Sequence, residues 1–187
     1  MRHPHNISLA TEPYVQLHNS EPLSVLQLSM ILDDILDDVV KYRPEFARLI
    51  RLQRLSGCRV MELFQPSRWT QASSSMLKVE PQKGNAARFL QLSEIGFTSF
   101  ADFAPTMADM QRLPAGQYKR AFSDIVSSHG LWRLYDNGFA HPSTHTLRHL
   151  KIKEMAAQGA DSDYIAAWIG EKSVANLDYY LQSQFFV

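Results

Sequence analysis

Ser143-Thr144-His145-Thr146-Leu147-Arg148-His149-Leu150-Lys151-Ile152-Lys153-Glu154-Met155-Ala156-Ala157-Gln158 is the stretch whose reading decides the fold. It reads as one helix. Ser143 or Thr144 supplies an N-cap hydroxyl, and Gly159 ends the run. Two histidines and an arginine stand in its first turns. Taken alone, His145 has an ordinary explanation as a partly buried histidine.

Upstream, residues 22–41 place Leu28, Leu32, Ile35, Leu36, Val39 and Val40 on one stripe of a 3.6-residue period, the mark of an amphipathic helix. Pro44 opens a second helix through Phe46, Leu49, Ile50, Leu52 and Leu55, and Gly57 stops it. Residues 76–92 change to short extended runs, MLKVE and ARFLQL, around a Pro-Gln-Lys-Gly-Asn turn, which predicts a β-hairpin. Helices are expected over 116–129 and from Ser162 to Ile169, the second stopping at Gly170. A last helix begins after Ser173 with Val174, Leu177 and Leu181 on one side. The expected class is α+β, predominantly α-helical, with one small antiparallel sheet. Residues 1–21 form an N-terminal extension and 22–187 one domain.

Composition narrows the setting without naming a partner. Of the 187 residues 45% are hydrophobic, enough for one sizeable core. The single cysteine, Cys58, excludes an intramolecular disulfide and points to a reducing, cytoplasmic compartment. No apolar stretch has signal-peptide or bilayer-spanning length, so no membrane association is expected. Net charge is zero, yet the charges are unevenly spread. Residues 41–69 carry seven Lys/Arg against Glu45 and Glu62, for +5, and residues 112–153 carry seven against Asp124 and Asp136, again +5. Two such blocks either build one basic face for phosphate or are ordinary solvated helix faces. The acids Asp33, Asp34, Asp37 and Asp38 suggest a DDxxDD metal motif, but such a site needs a second acidic cluster, and the chain has none. They are expected on the wet face of their helix, and no metal or cofactor is expected.

Four short motifs carry more information together than singly. Gly57-Cys58-Arg59-Val60-Met61-Glu62-Leu63 follows a helix; Lys83-Gly84-Asn85-Ala86-Ala87-Arg88 sits at the hairpin tip. His145-Thr146-Leu147-Arg148-His149 is third, and Tyr180 stands ten residues beyond the helix-ending Ile169-Gly170. Each has a plain alternative: Arg59 and Glu62 as a local i,i+3 pair, Lys83 as a solvated tip residue, Tyr180 as an amphipathic core residue.

In order and spacing, however, the set resembles the signature of tyrosine recombinases, the phage integrases and chromosome-dimer resolvases. LSGCRVMEL is similar to the family's LTGxRxxEL, KGNAARFLQL to its KGxKxRxVPL hairpin, and HTLRH to HxLRH. The resemblance covers roughly residues 22–181. It implies a DNA-breaking and rejoining catalytic domain in a short form without the N-terminal core-binding domain. It also implies a site-specific recombinase or integrase that cuts DNA through a 3′-phosphotyrosyl intermediate, independent of metal and ATP. Tyr180 is then the nucleophile, with Tyr179 second in rank. Arg59 and Arg148 stabilise charge on the phosphate, Lys83 is the general acid, and His145 donates to the phosphate or accepts the tyrosine proton. Glu62 orients the Arg59 region, and His149 packs and hydrogen-bonds. The implied partners are a double-stranded DNA recombination site, further copies of the chain in a tetramer, and an accessory DNA-binding protein. The final LQSQFFV either docks on a neighbouring subunit or folds back on its own core. Two other readings share these residues: DNA relaxation of the type IB topoisomerase kind, and a catalytically weakened DNA-binding accessory protein.

One position departs from the family pattern. Where the family has His or Trp after Leu-Gly, this chain has Glu171, an acceptor only. The expectation is that Glu171 turns away from the phosphate and the adjacent Lys172 donates in its place.

Overall fold

The structure is a computed structural model that describes residues 24–81, 85–129 and 143–182. The proposed extension 1–21, the hairpin-tip Lys83 and the final residues 183–187 lie outside the described residues. Helix α1 (Val25–Val39) starts at a capping box in which Ser24 and Gln27 satisfy each other's backbone N–H groups. Its stripe is buried at Leu28, Leu32, Ile35, Leu36 and Val39, while Val40 lies past the helix end and is exposed. Helix α2 (Pro44–Ser56) opens on proline and closes on Gly57 in the left-handed conformation. A one-turn helix, α3 (Val60–Leu63), follows.

The sheet has three antiparallel strands in the order β1-β2-β3: β1 (Trp69–Gln71), β2 (Met76–Val79) and β3 (Arg88–Gln91). The β2–β3 hairpin is as expected, with Leu77 opposite Leu90 and both fully buried. Strand β1 was not expected, because three residues are too short for alternation to register. Its Trp69 is nonetheless core, donating Nε1–H to the Glu62 carbonyl at 2.9 Å.

Helix α4 (Phe100–Arg112) is also absent from the sequence reading. Pro105 interrupts it, lacking the N–H that would bond back one turn, and proline argues against a helix interior. Tertiary burial of Phe103 and Met110, with Ser99 capping the start, overrides that local preference. Helices α5 (Ala115–Ser128), α6 (Thr144–Ala157), α7 (Ser162–Ile169) and α8 (Ala175–Gln182) fall where expected, and Ser143 is the cap of α6. On α8, Leu177 and Tyr180 face inward while Val174, before the helix, is exposed, which corrects the predicted stripe.

Helix α2 is the hub, packing against α1, α4, α5 and α6. Its apolar residues enter the core, and the polar ones buried with them must be satisfied inside. Gln53 accepts from the Tyr118 hydroxyl at 2.6 Å and donates to the Cys58 carbonyl at 3.2 Å. Buried Arg54 bridges Asp33 at 3.1 Å and Glu154 at 3.3 Å. This pattern answers the question left by the first basic block. Lys41, Arg43, Arg48, Arg51, Arg54 and Arg59 are all ion-paired within the chain, with Asp33, Asp37 and Asp38 of the acidic cluster among the partners. Four of them, Arg43, Arg48, Arg51 and Arg54, tie α1, α4 and α5 to α2 or its N-cap.

Helix α7 ends in a Schellman arrangement: Gly170 has φ +74, its N–H bonds to Ala167, and Glu171 N–H reaches back to the Ala166 carbonyl at 2.9 Å. The Gly170 carbonyl accepts from Ala86 N–H at 3.2 Å, clamping the start of the β3 segment onto the helix end. A Cβ on Gly170 would stand 3.1 Å from the Ala86 oxygen, whereas Gly159, at φ +85, has open space around it. Gly170→Ala is therefore expected to lower the unfolding free energy by about 2–3 kcal/mol and Gly159→Ala by about 1 kcal/mol. Urea titration measures both, and equal losses would contradict a close-approach role for Gly170.

Candidate active site

Three separate stretches deliver their charged side chains to one place. Gly57 turns the chain out of α2, so that Arg59 stands at the start of α3. Arg148 projects from the first turns of α6 and is fully buried. Its Nη1 donates to the Gly57 carbonyl at 2.7 Å and to the Ile169 carbonyl at 3.1 Å. Those two oxygens belong to the ends of α2 and α7, so one guanidinium joins three helices.

Glu171 does not turn away. Its Oε1 accepts from Arg148 Nη2 at 2.8 Å and also from Arg59 Nη2, while Asn176 Nδ2 donates to its Oε2 at 3.3 Å. The sequence expectation for this residue is corrected, for a physical reason. The Schellman turn fixes the Glu171 backbone beside two guanidiniums, one of them wholly buried. A carboxylate there offsets their desolvation, and removing it would strand buried cations. Lys172 is exposed, beside the Glu171 that the arginines hold. It lines a groove of about 910 Å³ with Phe89, Tyr164, Trp168 and Val174.

Glu62 joins this cluster from α3. It accepts from Arg59 N–H at 2.9 Å and from Arg88 Nη2 at 3.1 Å, and it lies 3.7 Å from Arg59 Nη1. Arg88 was not singled out from the sequence, although it stands in the quoted hairpin motif. An arginine on an inward-facing strand position, between Ala87 and apolar Phe89, was the available signal. Burial pulls its pKa below the usual arginine value, with Glu62 opposing that shift. The charged groups alternate through space as Arg88, Glu62, Arg59, Glu171, Arg148. Three cations against two anions leave one net positive charge. Arg59 Nη1 and Arg148 Nε are buried and make no hydrogen bond among the described residues.

Tyr180 comes to the same place from α8. It is buried, with its ring centroid 5.7 Å from the Arg148 guanidinium, 4.7 Å from the His149 ring and 6.1 Å from the His145 ring. Tyr179, 67% exposed, lies on the outer side with its ring 6.1 Å from that of His149. His145 lies on the open side, and its pKa is lowered by partial burial and by Arg148 and Arg59. His149 is buried, and desolvation with the neighbouring His145 takes its pKa down to about 4. Cys58, buried behind Arg59 with its thiol pushed up to about 11, is inert at neutral pH.

The histidines set a pH dependence whose sign follows from proton uptake. An unfolded His149 protonates near 6.5 and the folded one only near 4, so the unfolded state holds more protons between those values. Stability is expected to fall as pH drops through that window, with His149 contributing on the order of 2 kcal/mol of the loss. His149→Gln should reduce the loss between pH 7 and pH 4.5 in urea titrations. An unchanged loss would contradict a neutral, buried His149.

Sequence comparison alone gives no match, either to a family model or to a curated protein. Comparison of folds does. The crystal structure of XerA recombinase is similar with a TM-score of 0.64 at 18% identity, over 88% of this chain and 61% of that one. A lambda integrase dimer bound to a COC′ core site is similar with a TM-score of 0.63 at 18% identity, over 82% of this chain and 46% of that one. The lambda integrase catalytic core gives a TM-score of 0.57 at 18% identity, over 74% of this chain and 86% of that one. The chain thus spans about half to three fifths of the longer neighbours but most of the isolated catalytic core. Its mainly helical body with a small three-stranded antiparallel sheet has the fold of the tyrosine-recombinase catalytic domain.

Proposed function

We propose that the protein is a DNA strand transferase of the tyrosine-recombinase kind, acting on double-stranded DNA through a covalent link to Tyr180. The observation that carries this reading is the convergence of Arg59, Arg148, His145 and Tyr180 from positions far apart in the chain. Arginine suits a phosphodiester because it stays protonated and offers several donors in one plane.

In the proposed step the Tyr180 oxygen attacks phosphorus in line with the leaving 5′-oxygen. The phenol proton passes to a neutral His145, whose lowered pKa keeps it available as an acceptor at pH 7. The new P–O bond to tyrosine forms as the bond to the 5′-oxygen breaks, and Lys83 returns a proton to that oxygen. Negative charge growing on the non-bridging oxygens faces Arg59 and Arg148 in a site largely shielded from water. A phosphotyrosyl ester retains the energy of the original diester, so a new 5′-hydroxyl can reverse the step. His149, held neutral, packs against Tyr180 and fixes its ring.

Oligomerisation on DNA and help from an accessory DNA-binding protein belong to the same proposal. A second reading, a DNA-binding protein that no longer cuts, draws on Glu171 between the two arginines. One experiment separates the readings. A pool of duplexes of randomised sequence, each nicked so that the short cleaved strand diffuses away, is incubated with protein and resolved under denaturing conditions. A covalent adduct is expected from the unaltered chain and from Tyr179→Phe, and none from Tyr180→Phe. Absence of an adduct in all three supports the non-cutting reading, whereas relaxation of plasmids irrespective of sequence points to topoisomerase action.

A further inference from the structure

We propose that Glu171 is a displaceable occupant of the phosphate seat, an internal carboxylate that holds the two arginines until a DNA phosphate replaces it; this deepens the reading above and rests on it. A single oxygen, Glu171 Oε1, accepts from both Arg59 Nη2 and Arg148 Nη2, as one non-bridging phosphate oxygen would. Its other oxygen is engaged by Asn176 at 3.3 Å, outside the arginine pair. Each of the two guanidiniums also keeps a buried donor with no hydrogen bond among the described residues, Arg59 Nη1, which faces Glu62 at 3.7 Å, and Arg148 Nε. With Oε2 held by Asn176, the carboxylate offers the arginine pair one oxygen, whereas a phosphodiester can turn both non-bridging oxygens toward it.

Charge argues in the same direction. With Glu171 in place the alternating cluster carries one net positive charge, and without it two. A phosphodiester entering beside a seated Glu171 would meet a like charge at contact distance in a shielded site. Exchange avoids that repulsion, since one anion leaves as the other arrives. The way out is visible: Glu171 lines the groove that also holds Lys172, so its carboxylate can leave the arginines by rotating toward a solvated cation. Glu171 is a positioning residue on this account. It keeps the guanidiniums paired and preformed in the DNA-free chain, and it competes with DNA for them.

The test uses inorganic sulfate, which stays doubly charged at neutral pH, as the probe of the seat. Sulfate dissociation constants are measured by NMR titration for the whole chain, for Glu171→Gln, for Glu171→Asp, and for Glu171→Gln combined with Arg59→Gln. Glu171→Gln should bind sulfate about tenfold more tightly than the unaltered chain, and Arg59→Gln should erase that gain. Glu171→Asp, shorter by one methylene, should fall between. If Glu171→Gln does not fold without sulfate, a sulfate-dependent recovery of its thermal transition is the expected equivalent. Equal sulfate affinity in the folded variants, or a gain that survives Arg59→Gln, overturns the proposal. Formation of the Tyr180 adduct is scored separately. Tighter sulfate binding without any adduct sinks the strand-transfer reading and keeps the seat; an adduct with unchanged sulfate affinity does the reverse.

Discussion

A fully buried guanidinium needs partners inside the fold, and those that Arg148 finds for its two terminal nitrogens organise the molecule. Its Nη1 takes the Gly57 and Ile169 carbonyls, the oxygens left open where α2 and α7 end. Its Nη2 takes Glu171, and the same carboxylate oxygen reaches Arg59. Helix ends that would otherwise need caps are closed by a side chain from α6. The position of each piece of the site then depends on one residue at their centre. Weakening Arg148 would loosen α2, α7 and the Glu171 turn together.

Much of this plan was legible in the chain before any coordinates, because it rests on local rules. Ser24, Ser143, Gly57 and Gly170 act through backbone chemistry with a short reach, and each starts or stops a helix where its type predicts. The hairpin could be read from alternation, and the order of the motifs marked out a candidate site. What stayed hidden depends on burial and long-range pairing. Helix α4 forms despite Pro105 because Phe103 and Met110 are drawn into the core. Strand β1 is too short to show a period, and Arg88 looked like any hairpin residue until its ion pair with Glu62 was seen. Glu171 is the instructive case. Reasoning from repulsion alone turned it outward, whereas two desolvated arginines hold it in.

The same contrast applies to charge. The seven cations of residues 41–69 leave two readings open by sequence, a share in one basic face for phosphate or an ordinary solvated helix face. Six of them are engaged by acids elsewhere in the chain, so the block mainly joins helices to one another. Arg59 and Arg148 meet at Glu171, and Tyr180, packed beside both histidines, lies 5.7 Å from Arg148. Neutral histidines around a tyrosine suit proton transfer better than charged ones would, and burial next to arginines keeps them neutral. Net charge of zero is thus compatible with a local site for an anion.

The central claim is that these residues form one phosphoryl-transfer site with Tyr180 as its nucleophile. Peptide mass spectrometry on protein–DNA adducts, after digestion of both partners, tests it most directly. The account predicts a nucleotide joined through its 3′-phosphate to Tyr180, with a free 5′-hydroxyl on the released strand. A nucleotide on Tyr179 or on any serine, or a linkage through a 5′-phosphate, would contradict it.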